Sequence, residues 1–192
     1  QDVDWSDPAS VDIILQDLAG QYADATDNYA ADQLLSNTSA SIGPQDWTSP
    51  EEVIAGIYTA ARTISLTSNI LPTHMFVDPY RWTALGTLTD TSGRPLFPSV
   101  APYNALGQQT ATTWNGNPLG LSLIVDKSFT TAGTFIIGHA AGAAAGFEFY
   151  EQNKGAVSVE VPSQLGRTVA YRGYAATFFA DPDMFVSMVD QA

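Results

Sequence analysis

A chain of 192 residues is long enough to bury one core, or one core with a lobed extension, and too short for two independently stable domains. Its formal net charge of −13 is uneven: residues 1–61 hold eleven Asp and Glu and no Lys or Arg, against nine acids and all seven bases in the remainder. That balance excludes a non-specific grip on nucleic acid, which needs clustered cations; no apolar run approaches the ~18–20 residues of a membrane span; and the absence of cysteine excludes disulfides, thiolate catalysis and thiolate metal sites.

Asp7-Pro8 reads as a helix cap followed by a first-turn proline, and Val11, Leu15, Leu18, Tyr22, Ala25 and Tyr29 recur at spacings of four and three. The pattern predicts one helix to about Leu35, ~40 Å long at 1.5 Å per residue, a spine with Asp12, Asp17, Asp24, Asp27 and Asp32 on its solvent side. Ser36 to Trp47, polar and punctuated by Gly43-Pro44, reads as a connection. Ser49-Pro50-Glu51-Glu52 is a capping box with proline inside it, opening a second helix through Val53, Ile54, Ile57, Tyr58 and Ala61 to Arg62.

The most informative stretch is Leu71 to Phe97, LPTHMFVDPYRWTALGTLTDTSGRPLF. Met75-Phe76-Val77 is β-rich, Asp78-Pro79 caps a short helix carrying Trp82, Leu85 and Leu88, and Thr91-Ser92-Gly93-Arg94-Pro95 supplies a turn with a glycine available for positive φ. Pro98 to Pro118 has little periodicity and reads as a projecting loop. The last third is mostly β, with strands expected at 121–125, 134–137, 157–161 and 168–179. The Gly/Ala-rich stretch from His139 to Gly146 fits a short, tightly packed helix, and a turn at Asp181-Pro182 precedes Met184-Phe185-Val186.

No residue set announces catalysis. The two histidines, His74 and His139, sit in no metal-ligand pattern, so a site would need carboxylates from afar. Glu148 and Glu151 are near each other in sequence, but on a strand they do not share a face, so a solvated edge is the simpler reading than an acid–base dyad. Ser122 lacks the second glycine of a nucleophile elbow. Gly107, Gly116 and Gly120 match no phosphate-binding loop, and the acidic helix lacks the spacing of a calcium loop. The expectation is no catalytic, cofactor or metal residue.

The order of strand, Asp-Pro helix with Trp82, and Asp90-Thr-Ser-Gly93-Arg-Pro-Leu96-Phe97 resembles the central segment of tailed-phage major capsid proteins. Other segments fall into line with it. Pro118 to Lys127 is similar to that family's Gly-Leu strand, and Gly133-Thr-Phe-Ile-Ile-Gly138 to its Gly-Thr-Phe strand. Val157 to Val161 resembles its Ser-Val-Glu-Val strand, and Arg172 to Val189 its last peripheral-domain strand.

The resemblance implies an α+β fold with a long spine helix, a mixed-sheet axial domain flanked by helices, and C-terminal strands. It divides the chain into 1–45 (peripheral, with the spine helix), 46–155 (axial) and 156–192 (strands returning to the peripheral domain). The family's N-terminal arm and extended loop have no counterpart in this sequence, so this form is expected to remain a monomer or weak ring. The implied function is that of a non-enzymatic shell subunit of a tailed double-stranded DNA phage, assembled in the bacterial cytoplasm into pentameric or hexameric capsomers. A scaffold or decoration protein is a further possible partner; neither nucleic acid nor membrane is a specific one. Tyr103, Trp114 and Asn115 are the candidate capsomer contacts. Thr168 stands about where some members carry a cross-linking asparagine, and Ala175-Ala176 where they carry its glutamate, so no covalent chain-mail is expected. The alternatives are an encapsulin-type nanocompartment shell and an acidic α+β hydrolase.

Overall fold

The computed structural model describes residues 10–97, 116–129, 131–142, 145–161 and 166–190. The Asp7-Pro8 cap, most of the 98–118 loop and the centre of the His139–Gly146 stretch lie outside the described residues. Two compact units share the chain: Gln1–Ala30 with Phe149–Phe178, and Ala31–Glu148 with Phe179–Ala192.

The larger unit is built on a five-stranded sheet of β1 (Ala40–Gln45), β7 (Phe185–Asp190), β4 (Phe135–Gly138), β2 (His74–Val77) and β3 (Ser122–Val125), in that spatial order. β1 and β3 run parallel to β7 and β2, while β4 is antiparallel to both of its neighbours. Central β4 is buried on both faces, as a continuous apolar strand must be. Phe135 and Ile137 face one core with Met75, Val77, Val186 and Met188, against which α2 (Pro50–Ser68) lays Val53, Ile57, Ala60 and Ile64. Ile136 turns the other way, joining Phe185, Phe129, Ala31 and Leu34 in a second core.

Local chemistry explains where these elements start and stop. In α2 the Ser49 hydroxyl accepts from the Glu52 amide at 3.5 Å, and Glu52 reaches the Asp46 amide at 2.9 Å, so the capping glutamate serves the residue three positions before the cap. The helix runs to Ser68, past the expected end near Arg62, and stops at Asn69, whose φ of 55° is the left-handed conformation asparagine tolerates. The segment expected as a polar connection holds β1. Its Gly43-Pro44 falls where the register with β7 shifts, and an edge strand accommodates a proline there because no ladder partner needs its N–H. β7 belongs to this sheet, after a capped turn at Pro182–Met184.

The smaller unit combines α1 (Ser10–Ser36) as far as Ala30 with the central part of a two-stranded hairpin, β5 (Phe147–Val161) and β6 (Gly166–Phe179). The expected strand at 157–161 is the far end of a much longer one. Burial along β6 alternates: Val169, Tyr171, Gly173, Ala175 and Thr177 are half-buried, and the residues between them exposed. Tyr22 of α1 packs its ring 5.2 Å from that of Tyr171, with its hydroxyl directly over Gly173. Burial, and then the Glu151 carboxylate, raise the pKa of the Tyr22 phenol. A Cβ at position 173 would collide with that hydroxyl. Gly173→Ala is therefore expected to destabilise this unit by about 1–3 kcal/mol, the usual cost of overpacking. Hydrogen exchange of the hairpin amides checks this, and unchanged protection would contradict it.

Candidate functional site

The motif read from Leu71 to Phe97 folds into a clamp joining β2, α3 (Pro79–Thr87) and the turn before β4. Asp78 is the hinge. One carboxylate oxygen accepts the Arg81 amide at 2.8 Å, capping α3, and the other accepts the Gly133 amide at 2.7 Å. The Asp78 amide donates to the Thr134 carbonyl at 3.2 Å. Arg81 is a charged side chain almost wholly withdrawn from water, 2% exposed. Its Nε donates to the Gly133 carbonyl at 2.9 Å, and its guanidinium lies 4.3 Å above the Trp47 ring. Gly133 has φ +80°, and a Cβ there would sit 2.8 Å from the guanidinium. Glycine is required by conformation and by space at once.

The far end of the same strand has a second close approach. Gly138 pairs with Phe185 across β4 and β7, and the Phe185 ring lies where a Cβ on Gly138 would be. Gly146 borders the same ring, 2.9 Å from it on the same construction. The two glycines framing Gly133-Thr-Phe-Ile-Ile-Gly138 thus admit a guanidinium at one end and a phenyl ring at the other.

The Asp90 turn closes as expected. Asp90 accepts the Ser92 and Arg94 amides at 2.8 and 2.9 Å, Gly93 takes φ +75°, and Leu96 donates back to Leu88 at 2.9 Å, sending Leu88 and Phe97 into the core. Beside the clamp, Asp46, Thr48, Tyr80, Thr83 and Thr87 line an open cleft of about 570 Å³. The Thr48 hydroxyl and amide hold the exposed Asp46 carboxyl below its usual pKa.

The titratable residues singled out in the sequence are placed as follows. His74 and Ser122 are register partners on β2 and β3, with the His74 Nδ1 2.8 Å from the Thr73 hydroxyl. His139 lies beyond the end of β4, its Nδ1 2.9 Å from the Leu71 carbonyl. Glu148 and Glu151 both lie on β5, where a spacing of three puts them on opposite faces. Among the described residues no group of three or more His, Asp or Glu is placed to hold a metal ion. Tyr103, Trp114 and Asn115 lie outside the described residues. Burial, and secondarily the nearby His139, lower the His74 pKa from 6.5. The folded protein then binds fewer protons than the unfolded chain just below that value, so stability rises with pH through the window under 6.5 and levels off above it. His74→Gln is expected to flatten that part of the profile. Denaturant midpoints between pH 5 and 7 check it, and an unchanged slope would contradict it.

Arg81 and Trp47 were not legible as partners in the sequence, since a charged residue is ordinarily an exposed one. The spacing Asp78-Pro-Tyr-Arg81 marks the cap but not the guanidinium's burial.

The Asp78 carboxylate accepts two backbone amides, the Arg81 Nε donates to a backbone carbonyl and its guanidinium lies on an indole face, an arrangement that fixes the local shape. The chain belongs to the phage capsid protein family, whose model matches residues 1–187. No curated protein matches it. Its fold is similar to a solved structure from Mycobacterium phage Che8, with TM-score 0.66 and 15% identity over 88% of this chain and 60% of that one. A structure from Gordonia phage Cozz follows at TM-score 0.58 and 16% identity, over 97% of this chain and 65% of that one. A virus-like particle from Pyrococcus furiosus has TM-score 0.54 and 15% identity, over 86% and 63%. The chain thus spans less than two thirds of the length of each of these structures. The expected α+β capsid fold, with its long helix and helix-flanked mixed sheet, is the fold observed.

Proposed function

We propose that the protein is the non-enzymatic major shell subunit of a tailed, double-stranded DNA phage or prophage, assembling in the host bacterial cytoplasm into pentameric or hexameric capsomers. The observation that carries this reading is the family match along residues 1–187, supported by a fold shared with two phage structures. The unit containing the five-stranded sheet corresponds, in this proposal, to the axial domain, and the unit containing the hairpin to the peripheral domain. The boundaries then follow Ala31, Phe149 and Phe179 rather than residues 45 and 155. The stretch holding Tyr103, Trp114 and Asn115 is the proposed contact toward the capsomer axis. A net charge of −13 suits a wall that must not retain packaged duplex.

Purification from infected or induced cells tests the reading. Shells carrying DNA or empty heads support it, whereas a co-purifying enzyme cargo points to the encapsulin-type alternative. Denaturing electrophoresis of those particles is expected to show only the subunit mass, because Thr168, Ala175 and Ala176 offer neither an electrophilic amide nor a base for an isopeptide bond. A ladder of subunit multiples would contradict that expectation.

A further inference from the structure

The cleft beside the clamp has walls of one chemical kind. Three threonine hydroxyls line it, and each gives its proton to the protein: Thr48 to the Asp46 carboxylate at 2.7 Å, Thr83 to the Pro79 carbonyl at 2.9 Å and Thr87 to the Thr83 carbonyl at 2.9 Å. A hydroxyl whose proton is engaged offers a newcomer only its oxygen lone pairs. Asp46 adds a carboxylate to these acceptors. Its Oδ1 takes both Thr48 bonds, which leaves Oδ2 for a donor from outside. The same Thr48 bonds favour the charged form of the group.

Three further features favour a positive charge there. α3 ends along this wall at Thr87 with no basic residue in its last turn, so the partial negative charge of its terminal carbonyls is unmatched within the helix. Glu52, whose carboxylate accepts the Asp46 amide at 2.9 Å, adds a second negative charge beside Asp46. The Tyr80 ring lies 5.5 Å from the Arg81 guanidinium, and with 65% of the residue exposed it has surface for a second cation. Arg81 is the one base among the described lining residues, and it is 2% exposed with its face on Trp47. An anion would therefore meet Asp46 before it met Arg81.

We infer that this cleft binds an arginine side chain carried on a basic peptide segment of a partner protein. A guanidinium suits it better than an ammonium, because its planar fork donates to several oxygens at once and its face stacks on an aromatic ring. At about 570 Å³ the cleft also has room for more than one head group. The segment belongs to a different protein, since the seven bases of this chain stand at least five residues apart and form no basic segment. Binding here is independent of the shell-subunit reading and goes beyond it.

Fluorescence anisotropy of a labelled Gly-Arg-Gly-Arg-Gly peptide against the full chain tests the assignment, with the lysine peptide and the neutral citrulline peptide alongside. The arginine peptide should bind about threefold or more tighter than the lysine peptide, and about tenfold or more tighter than the citrulline one. Asp46→Asn keeps an oxygen for the Thr48 amide but removes the charge, and should weaken binding about fivefold or more. Tyr80→Leu, at an exposed position, should weaken it about threefold. Asp12→Asn removes an equal charge from α1 and should leave the affinity unchanged, which separates the cleft from the general pull of a chain of charge −13. The peptide ranking uses the unmodified chain, so it decides the matter even where a variant fails to fold. No binding of the arginine peptide, equal binding of the arginine and lysine peptides, or the same loss from Asp12→Asn as from Asp46→Asn overturns the proposal.

Discussion

Phe185→Ala is expected to destabilise the five-stranded unit by about 3–5 kcal/mol, the range for removing a fully buried phenyl ring. Phe185 is completely shielded from water, meets Phe179 edge-on at 6.2 Å and Phe76 at 6.5 Å, and fills the space left by Gly138 and Gly146. The neighbouring glycine makes the prediction specific. Gly138→Ala alone should cost about 1–3 kcal/mol by overpacking. In the double variant the new methyl group enters the cavity the ring has left, so the combined loss should fall short of the sum of the single losses by at least 0.5 kcal/mol. Urea denaturation of the four proteins checks it, and strict additivity would show that ring and glycine do not share one space.

Asp78→Ala is the second large effect, at about 2–4 kcal/mol. It removes a helix cap worth about 1 kcal/mol and leaves the Gly133 amide without its acceptor, a further cost of about 1–3 kcal/mol if that amide stays dry. Asp78→Ser separates the two parts. Serine can cap α3, but its single short hydroxyl cannot also reach Gly133, so it should recover roughly the capping share only. Equal losses for both variants would mean that the bond to Gly133 carries the whole effect; no loss in either would contradict the clamp.

Much of this architecture could be read from residue order, where chemistry is local. Ser49-Pro50, Asp78-Pro79 and Asp90 with Gly93 each direct their own amide hydrogen bonds within a few residues, and each forms as its sequence implies. What stayed hidden depends on distant partners. Arg81 is buried because Gly133, some fifty residues on, and the Trp47 ring receive it, and nothing adjacent to Arg81 says so. Gly43-Pro44 carries the signature of a turn, yet β7 offers an edge against which a proline is tolerated. Gly138 and Gly146 were visible as glycines, but the ring lying on them comes from Phe185. In α1 the regular apolar stripe predicted a buried Tyr29, whereas the covered face is turned toward Ala19, Thr26 and Ala30, and Tyr29 is 39% exposed. Periodicity fixes that a helix has a face, and only the partner determines where that face is centred. The functional reading came from family resemblance, because the order of segments along Leu71 to Phe97 and Gly133 to Gly138 is carried by no single short motif of reacting groups.

Negative-stain microscopy of particles made by the natural gene product in its own host tests the central claim most directly. Closed shells of uniform diameter, with this polypeptide as the dominant band on denaturing gels, are the predicted result. A protein that stays monomeric under every condition in which its relatives' shells form, or one that turns over a substrate saturably, would contradict it.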